Sequence, residues 1–157
     1  MNLGASALSL VSNRCGGACP DLSDGGYFAD CYEVTRELVE DGVITAGVSV
    51  GRGGLAVAAE KFRGRKGFTM DLSGIMSATG EKDPVRILFS EVPGLLVQVS
   101  DSDYDYVDSQ LLLQEIAYYP IAHPDSASHS VSIRSDSRSA LAGILEALLS
   151  RTSEGED

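Results

Sequence analysis

The sequence has no tryptophan, three cysteines, and only 12 lysines and arginines among its 157 residues. The shortage of cations excludes the most. Against 23 aspartates and glutamates it leaves a formal net charge of −11, and the densest basic run is Arg63, Arg65 and Lys66. An ordinary nucleic-acid binder neutralises roughly six to ten phosphates, and a net negative field repels the rest of such a backbone. Nucleic acid is therefore not an expected partner. Apolar runs are short as well: no stretch reaches the ~18 residues of a membrane span, and the N-terminus lacks the basic and apolar regions of a secretory signal. A cytoplasmic protein with no membrane partner is expected. Cys15, Cys19 and Cys31 all lie in the first fifth of the chain. They are odd in number, and no further Cys or nearby His completes a tetrahedral zinc set. Reduced thiols are expected rather than a metal or redox site.

What is present is a globular composition. Hydrophobic residues make up 43% of the chain, well outside the weakly hydrophobic, highly charged class that stays disordered. The length suits one domain, placed at residues 1–150 and followed by a flexible acidic tail at 151–157, where RTSEGED carries no apolar periodicity.

Periodicity then orders the elements. Residues 3–12 suit a short helix. Tyr27, Cys31, Val34 and Leu38 recur at helical spacing, Phe28 and Val39 widen that face, Asp24 or Ser23 caps it, and Gly42 stops it. Residues 43–50, VITAGVSV, are β-branched and mostly apolar, the pattern of a central strand covered on both faces. Gly51-Arg52-Gly53-Gly54 breaks that strand, and Leu55, Ala58, Ala59 and Phe62 form the inner stripe of a helix ended by Gly64. Strands are expected at Phe68–Leu72, 95–99, Ile116–Ala122 and Val131–Arg134, with a loose Ser/Gly segment after the first of them and a helical turn opening at Pro84. Asp101, Asp103, Asp105 and Asp108 lead into a surface helix near Leu111 and Leu112. Leu141, Ile144, Leu145, Leu148 and Leu149 mark a last helix. The sum is an α/β (α+β) domain with a mixed sheet covered by helices.

Four segments carry a family resemblance: LGASAL at 3–8, CPDLSD at 19–24, VITAGVSVGRGGLAVAAE at 43–60 and LFSEVPGLLVQV at 88–99. In order and spacing they resemble the second synthetase-like C-terminal domain of the large phosphoribosylformylglycinamidine synthases, over about residues 1–122. YDYVDSQLLLQEIAYYPIAHP at 104–124 resembles the continuation found in some of them. The resemblance implies the C-terminal domain fold of the aminoimidazole ribonucleotide synthetase superfamily. It implies an ATP- and glutamine-dependent ligase of purine biosynthesis, with ATP and magnesium in the complete enzyme and with an ATP-binding domain and a glutaminase as partners. The isolated domain is expected to hold no cofactor. None of the three cysteines lies in a glutaminase-like motif, no residue is assigned as catalytic, and catalysis by this chain alone is not expected. A homodimer and a divergent, noncatalytic interaction or scaffold domain remain alternatives.

The family commonly carries His-Asp, a hydrophobic residue, then Ser-Asp-Gly-Gly-Leu at its glycine turn. The matching positions here are Val48, Ser49, Val50, Gly51, Arg52, Gly53, Gly54 and Leu55. The glycines remain, while the imidazole and both carboxylates are absent. Gly51, Arg52, Gly53 and Gly54 are candidates for a phosphate loop built from backbone amides at a helix N-terminus; a sharp turn with an exposed arginine is the plainer alternative. Ser90 and Glu91 match the family's polar pair and are the inherited-site candidates, with a helix-end charge as the alternative. Ser23-Asp24-Gly25-Gly26 repeats the family letters in the wrong context and reads as a turn and helix cap. His123 and His129 lack a supporting acid or cysteine at motif spacing and read as exposed.

Overall fold

A computed structural model describes residues 2–14, 16–22, 24–63, 67–125 and 130–134. The expected last helix, the tail at 151–157, Cys15, Ser23, Gly64 and His129 lie outside them. In chain order the described elements are α1 (Ala7–Val11), α2 (Gly25–Glu40), β1 (Ile44–Val50), α3 (Gly54–Phe62), β2 (Gly67–Asp71) and α4 (Ser73–Thr79). They continue with α5 (Pro84–Phe89), β3 (Gly94–Val99), α6 (Tyr104–Leu113), β4 (Ala122–Asp125) and β5 (Val131–Arg134). Helices with mixed strand directions bear out the α/β expectation, but the strands divide into two sheets. β1 and β3 form an antiparallel pair, and β2 runs between antiparallel β4 and parallel β5.

That division corrects the reading of residues 43–50 as a central strand covered on both faces. Among the described residues β1 pairs with β3 alone. Val48 and its partner Leu96 face the core, whereas Ser49 opposite Leu95 and Gly47 opposite Val97 face outward and are exposed. An apolar run signals burial only if a second layer exists to cover its outer side, and composition does not encode that layer. The strand with the most deeply buried inner side is β2, whose Met70 and the following Leu72 are both 0% exposed.

The described residues build two cores. The larger joins Ala59 of α3, Phe68, Met70 and Leu72 around β2, Ile75 of α4, Ile87 and Leu88 of α5, and Leu96 of β3. The smaller joins Val34 and Leu38 of α2 to Val107 of α6, with Ile44 and Val99 packed against them. The cap and stop of α2 are as expected: Asp24 Oδ1 accepts the Tyr27 amide at 2.9 Å, and Gly42 adopts φ 73° just past the end. Its buried face is narrower than the periodicity predicts. Phe28 and Val39 stay exposed at 46% and 52% because the elements packed against α2, helix α6 with Ile44 of β1 and Val99 of β3, meet the Val34–Leu38 stripe. Tyr27, also partly exposed, instead accepts the Ala117 amide through its hydroxyl at 2.9 Å.

Three further boundaries differ. Residues 73–79, read as loose, form α4, whose start is supported by Asp71 Oδ1 accepting the Ser73 amide at 2.9 Å. The acidic approach helix begins at Tyr104, earlier than expected, and leaves Leu112 exposed. The strand expected at Ile116–Ala122 begins only at Ala122, because the register with β2 starts there: Met70 faces Ala122 and Gly67 faces Asp125.

Candidate functional site

At the glycine turn the chain packs backbone against backbone. β1 ends at Val50, the Gly54 amide returns to the Gly51 carbonyl at 2.9 Å, and α3 leaves at once. Two positions require glycine. Gly53 and Gly54 have φ of 88° and 68°, a region costly for any residue with a Cβ. A Cβ on Gly54 would also overlap the Leu88 carbonyl oxygen and stand 2.9 Å from Phe89 Cα. The end of α5 thus lies directly on the start of α3.

That contact positions the inherited pair. α5 stops at Phe89, Ser90 turns to an extended conformation, and Glu91 reaches back across the turn. Its Oε1 accepts the Gly53 amide at 2.9 Å and the Ala7 amide at 2.7 Å. One carboxylate oxygen therefore ties together the start of α3, the start of α1 and the segment after α5. Ser6, 1% exposed, precedes this junction and caps α1, its hydroxyl donating to the Leu3 carbonyl at 2.7 Å. Ser90 is 4% exposed, and its Oγ has no hydrogen-bond partner among the described residues.

The consequence for anion binding is direct. A helix start leaves four amides without intrahelical acceptors. At α3 the Gly53 amide is taken by Glu91 and the Gly54 amide by Gly51, leaving those of Leu55 and Ala56. The Glu91 carboxylate also supplies the negative charge that a helix N-terminus favours, so a phosphate approaching Gly53 meets an anion already in place. Arg52, the cation of the loop, is exposed and makes no ion pair among the described residues. The structure brings Gly51, Gly53, Gly54, Ser90 and Glu91 together and leaves Arg52 at the rim.

Val48 and Ser49, at the positions of the missing imidazole and carboxylate, point to opposite sides. Val48 packs against the larger core and Ser49 is exposed. The SDGG look-alike supplies a helix cap through Asp24. His123 lies exposed on β4, cross-strand from Thr69. Among the described residues, no three His, Cys, Asp or Glu side chains gather to hold a metal ion, and no helix is long and apolar enough to cross a membrane. Cys19 is exposed, Cys31 is half-buried, and neither is in a disulfide. Ala7 and Ser6 are the junction residues missed from sequence. The LGASAL segment contained them, but a short helix gives no sign that its first amide will meet a carboxylate 84 residues away.

No family model matches the chain. Sequence comparison gives a consistent set of relatives. A probable phosphoribosylformylglycinamidine synthase, chloroplastic/mitochondrial, of Arabidopsis thaliana is 34% identical over 111 residues, covering 69% of this chain and 8% of that protein. The Drosophila melanogaster phosphoribosylformylglycinamidine synthase is 31% identical over 118 residues, 68% of this chain and 9% of its own length. The Homo sapiens protein of the same name is 28% identical over 103 residues, 64% and 7%. The chain spans less than a tenth of the length of each. It belongs with the phosphoribosylformylglycinamidine synthases, as kin to one segment of that large protein.

Proposed function

We infer that residues 1–150 act as a synthetase-type C-terminal domain within a larger phosphoribosylformylglycinamidine synthase-like assembly, and that this domain does not catalyse by itself. The observation that carries the reading is the Glu91 junction. In place of an imidazole and two carboxylates, the turn holds Val48, Ser49 and Arg52, and a carboxylate of the chain fills the Gly53 amide. Such a turn shapes one wall of a cleft. The donors left to it are the Leu55 and Ala56 amides and the rim guanidinium of Arg52, a set suited to one phosphate edge rather than to a triphosphate. The second Glu91 oxygen is available to orient an amide, ammonia or water. ATP and magnesium then belong to an ATP-binding partner domain, ammonia to a glutaminase domain, and the assembly to ligase chemistry in the cytoplasm. The Arabidopsis relative carries a chloroplastic/mitochondrial designation of its own.

A second reading, a noncatalytic scaffold, is favoured by the exposed Phe28, Tyr32 and Val39 on α2 and by Leu95 and Val97 on the open face of β3. Calorimetry separates the two. The chain alone should bind neither ATP nor formylglycinamide ribonucleotide, and the ribonucleotide should bind once ATP-binding and glutaminase domains of a relative are restored. Turnover by the chain alone would refute the dependence on partners. Failure of the restored assembly to bind the ribonucleotide would refute the wall role and leave the scaffold.

A further inference from the structure

The second sheet carries a polar outer face that the glycine-turn site does not use. Along β2, Phe68, Met70 and Leu72 face the core, so Thr69 and Asp71 face outward. On β5, Val131 and Ile133 pack inward, which turns Ser132 and Arg134 to the same outer side. Register then places these groups in two adjacent rows. In one row His123, Thr69 and Ser132 lie side by side, with the Thr69 and Ser132 hydroxyls 2.8 Å apart. In the next, Asp71 is paired in register with Arg134, and its amide donates to the Ile121 carbonyl at 2.7 Å. Thr69, Asp71, His123 and Arg134, with Pro120 and Ile121, line a cleft of about 380 Å³, within the roughly 300–1,000 Å³ range of small-molecule sites.

The charges in this cleft are a fixed pair of opposite sign. The Ser73 amide and hydroxyl hold the Asp71 carboxyl below its ordinary range, with Arg134 adding to the effect, so the carboxylate is ionised at neutral pH. Asp71 Oδ1 accepts the Ser73 amide, and the carboxylate carries its charge on the outer face beside Arg134. No ion pair within 4.0 Å joins Arg134 to Asp71 or to another described acid. A simple anion would satisfy Arg134 and be repelled by Asp71; a simple cation would meet the reverse. A ligand with both charges on neighbouring atoms satisfies both. The apolar wall of Pro120 and Ile121 suits an aliphatic group beside them.

We propose that the outer face of β4–β2–β5 binds a free aliphatic α-amino acid, its carboxylate on Arg134, its ammonium on Asp71, and its side chain against Pro120 and Ile121. Thr69 and His123 border the head group and take its remaining polar contacts. The site is separate in residues from the glycine turn, so it stands or falls independently of the role given to that turn.

Titration of the full chain with L-leucine, followed by amide and side-chain NMR, tests this. Saturable shifts should centre on Thr69, Asp71, His123 and Arg134. 4-Methylpentanoate, which lacks the ammonium, and isoamylamine, which lacks the carboxylate, should each bind at least about tenfold more weakly, because each leaves one charge facing its like. Asp71→Asn, which keeps the Ser73 acceptor, and Arg134→Gln should each cost a similar factor for L-leucine. Equal binding of 4-methylpentanoate would overturn the proposal in favour of a plain anion site. Absence of saturable shifts with L-leucine, or shifts centred elsewhere, would overturn it outright, and the ligand comparison uses the unaltered protein, so it does not depend on either variant folding.

Discussion

Replacing Glu91 tests the architecture most directly, because a single oxygen accepts amides from two helices distant in sequence. The Gly53 amide is buried, and the Ala7 amide is the first of α1. A hydrogen bond to a charged acceptor contributes about 1.5–3 kcal/mol net, and a buried donor left without a partner costs about 1–3 kcal/mol. Glu91→Ala removes both bonds at once. Water can reach Ala7 more readily than Gly53, so the two losses do not add in full, and the expected cost is about 3 kcal/mol. That is a large fraction of the roughly 5–15 kcal/mol by which domains are stable. Glu91→Gln keeps an acceptor oxygen at the same reach but makes both bonds neutral, and should cost about 1–2 kcal/mol, less than the alanine variant. Urea unfolding followed by circular dichroism measures both differences, and native-state hydrogen exchange reads Ala7 and Gly53 individually. Both amides should lose protection in Glu91→Ala, with α1 released before the rest of the fold. An alanine variant within about 0.5 kcal/mol of the parent, or with unchanged exchange at both amides, would refute the junction.

Other substitutions test neighbouring claims. Gly54→Ala places a Cβ on the Leu88 carbonyl at a positive φ and should cost at least about 2 kcal/mol, seen as a lowered thermal midpoint. Leu88→Ala empties a site that is 0% exposed and should cost about 2–5 kcal/mol, while Leu113→Ala, 76% exposed, should stay within about 0.5 kcal/mol in the same urea titration. Asp24→Ala removes the acceptor for the Tyr27 amide and should cost about 1 kcal/mol, with faster exchange confined to the first turn of α2. Asp71 has a carboxyl pKa lowered from 3.8 by its bonds to Ser73. Its contribution is present in full above that value and disappears as pH falls through the lower folded-state pKa, so Asp71→Asn should lower stability at neutral pH and flatten the acid limb, the two proteins converging at low pH in urea titrations.

Local chemistry in the sequence carried much of this fold. The start of α2 was readable because Asp24 needs only its own chain three residues on, and the start of α5 because Pro84 at the first helical position lacks only an amide hydrogen that the helix would leave unused. The glycine turn was readable because positive φ at Gly53 and Gly54 is a property of residue type. α4 was not, since its Ser, Gly and Thr have weak helical preference, and its start depends on Asp71 and the buried Ile75. The family resemblance was equally legible, because four segments kept their order and spacing.

The sequence by itself determined where the chain turns, which residues are apolar, and which letters of the family motif are missing. It named Ser90 and Glu91 but not what they touch. Only the tertiary structure decided that Glu91 spends one oxygen on Ala7 and Gly53, that β1 has a single partner and an open face among the described residues, and that Thr69 and Arg134 share a cleft with His123. The physical reason is range. Caps, turns and periodicity are set by groups within a few residues of one another, whereas these contacts join segments 38 to 84 residues apart or depend on which layer is present to cover a strand.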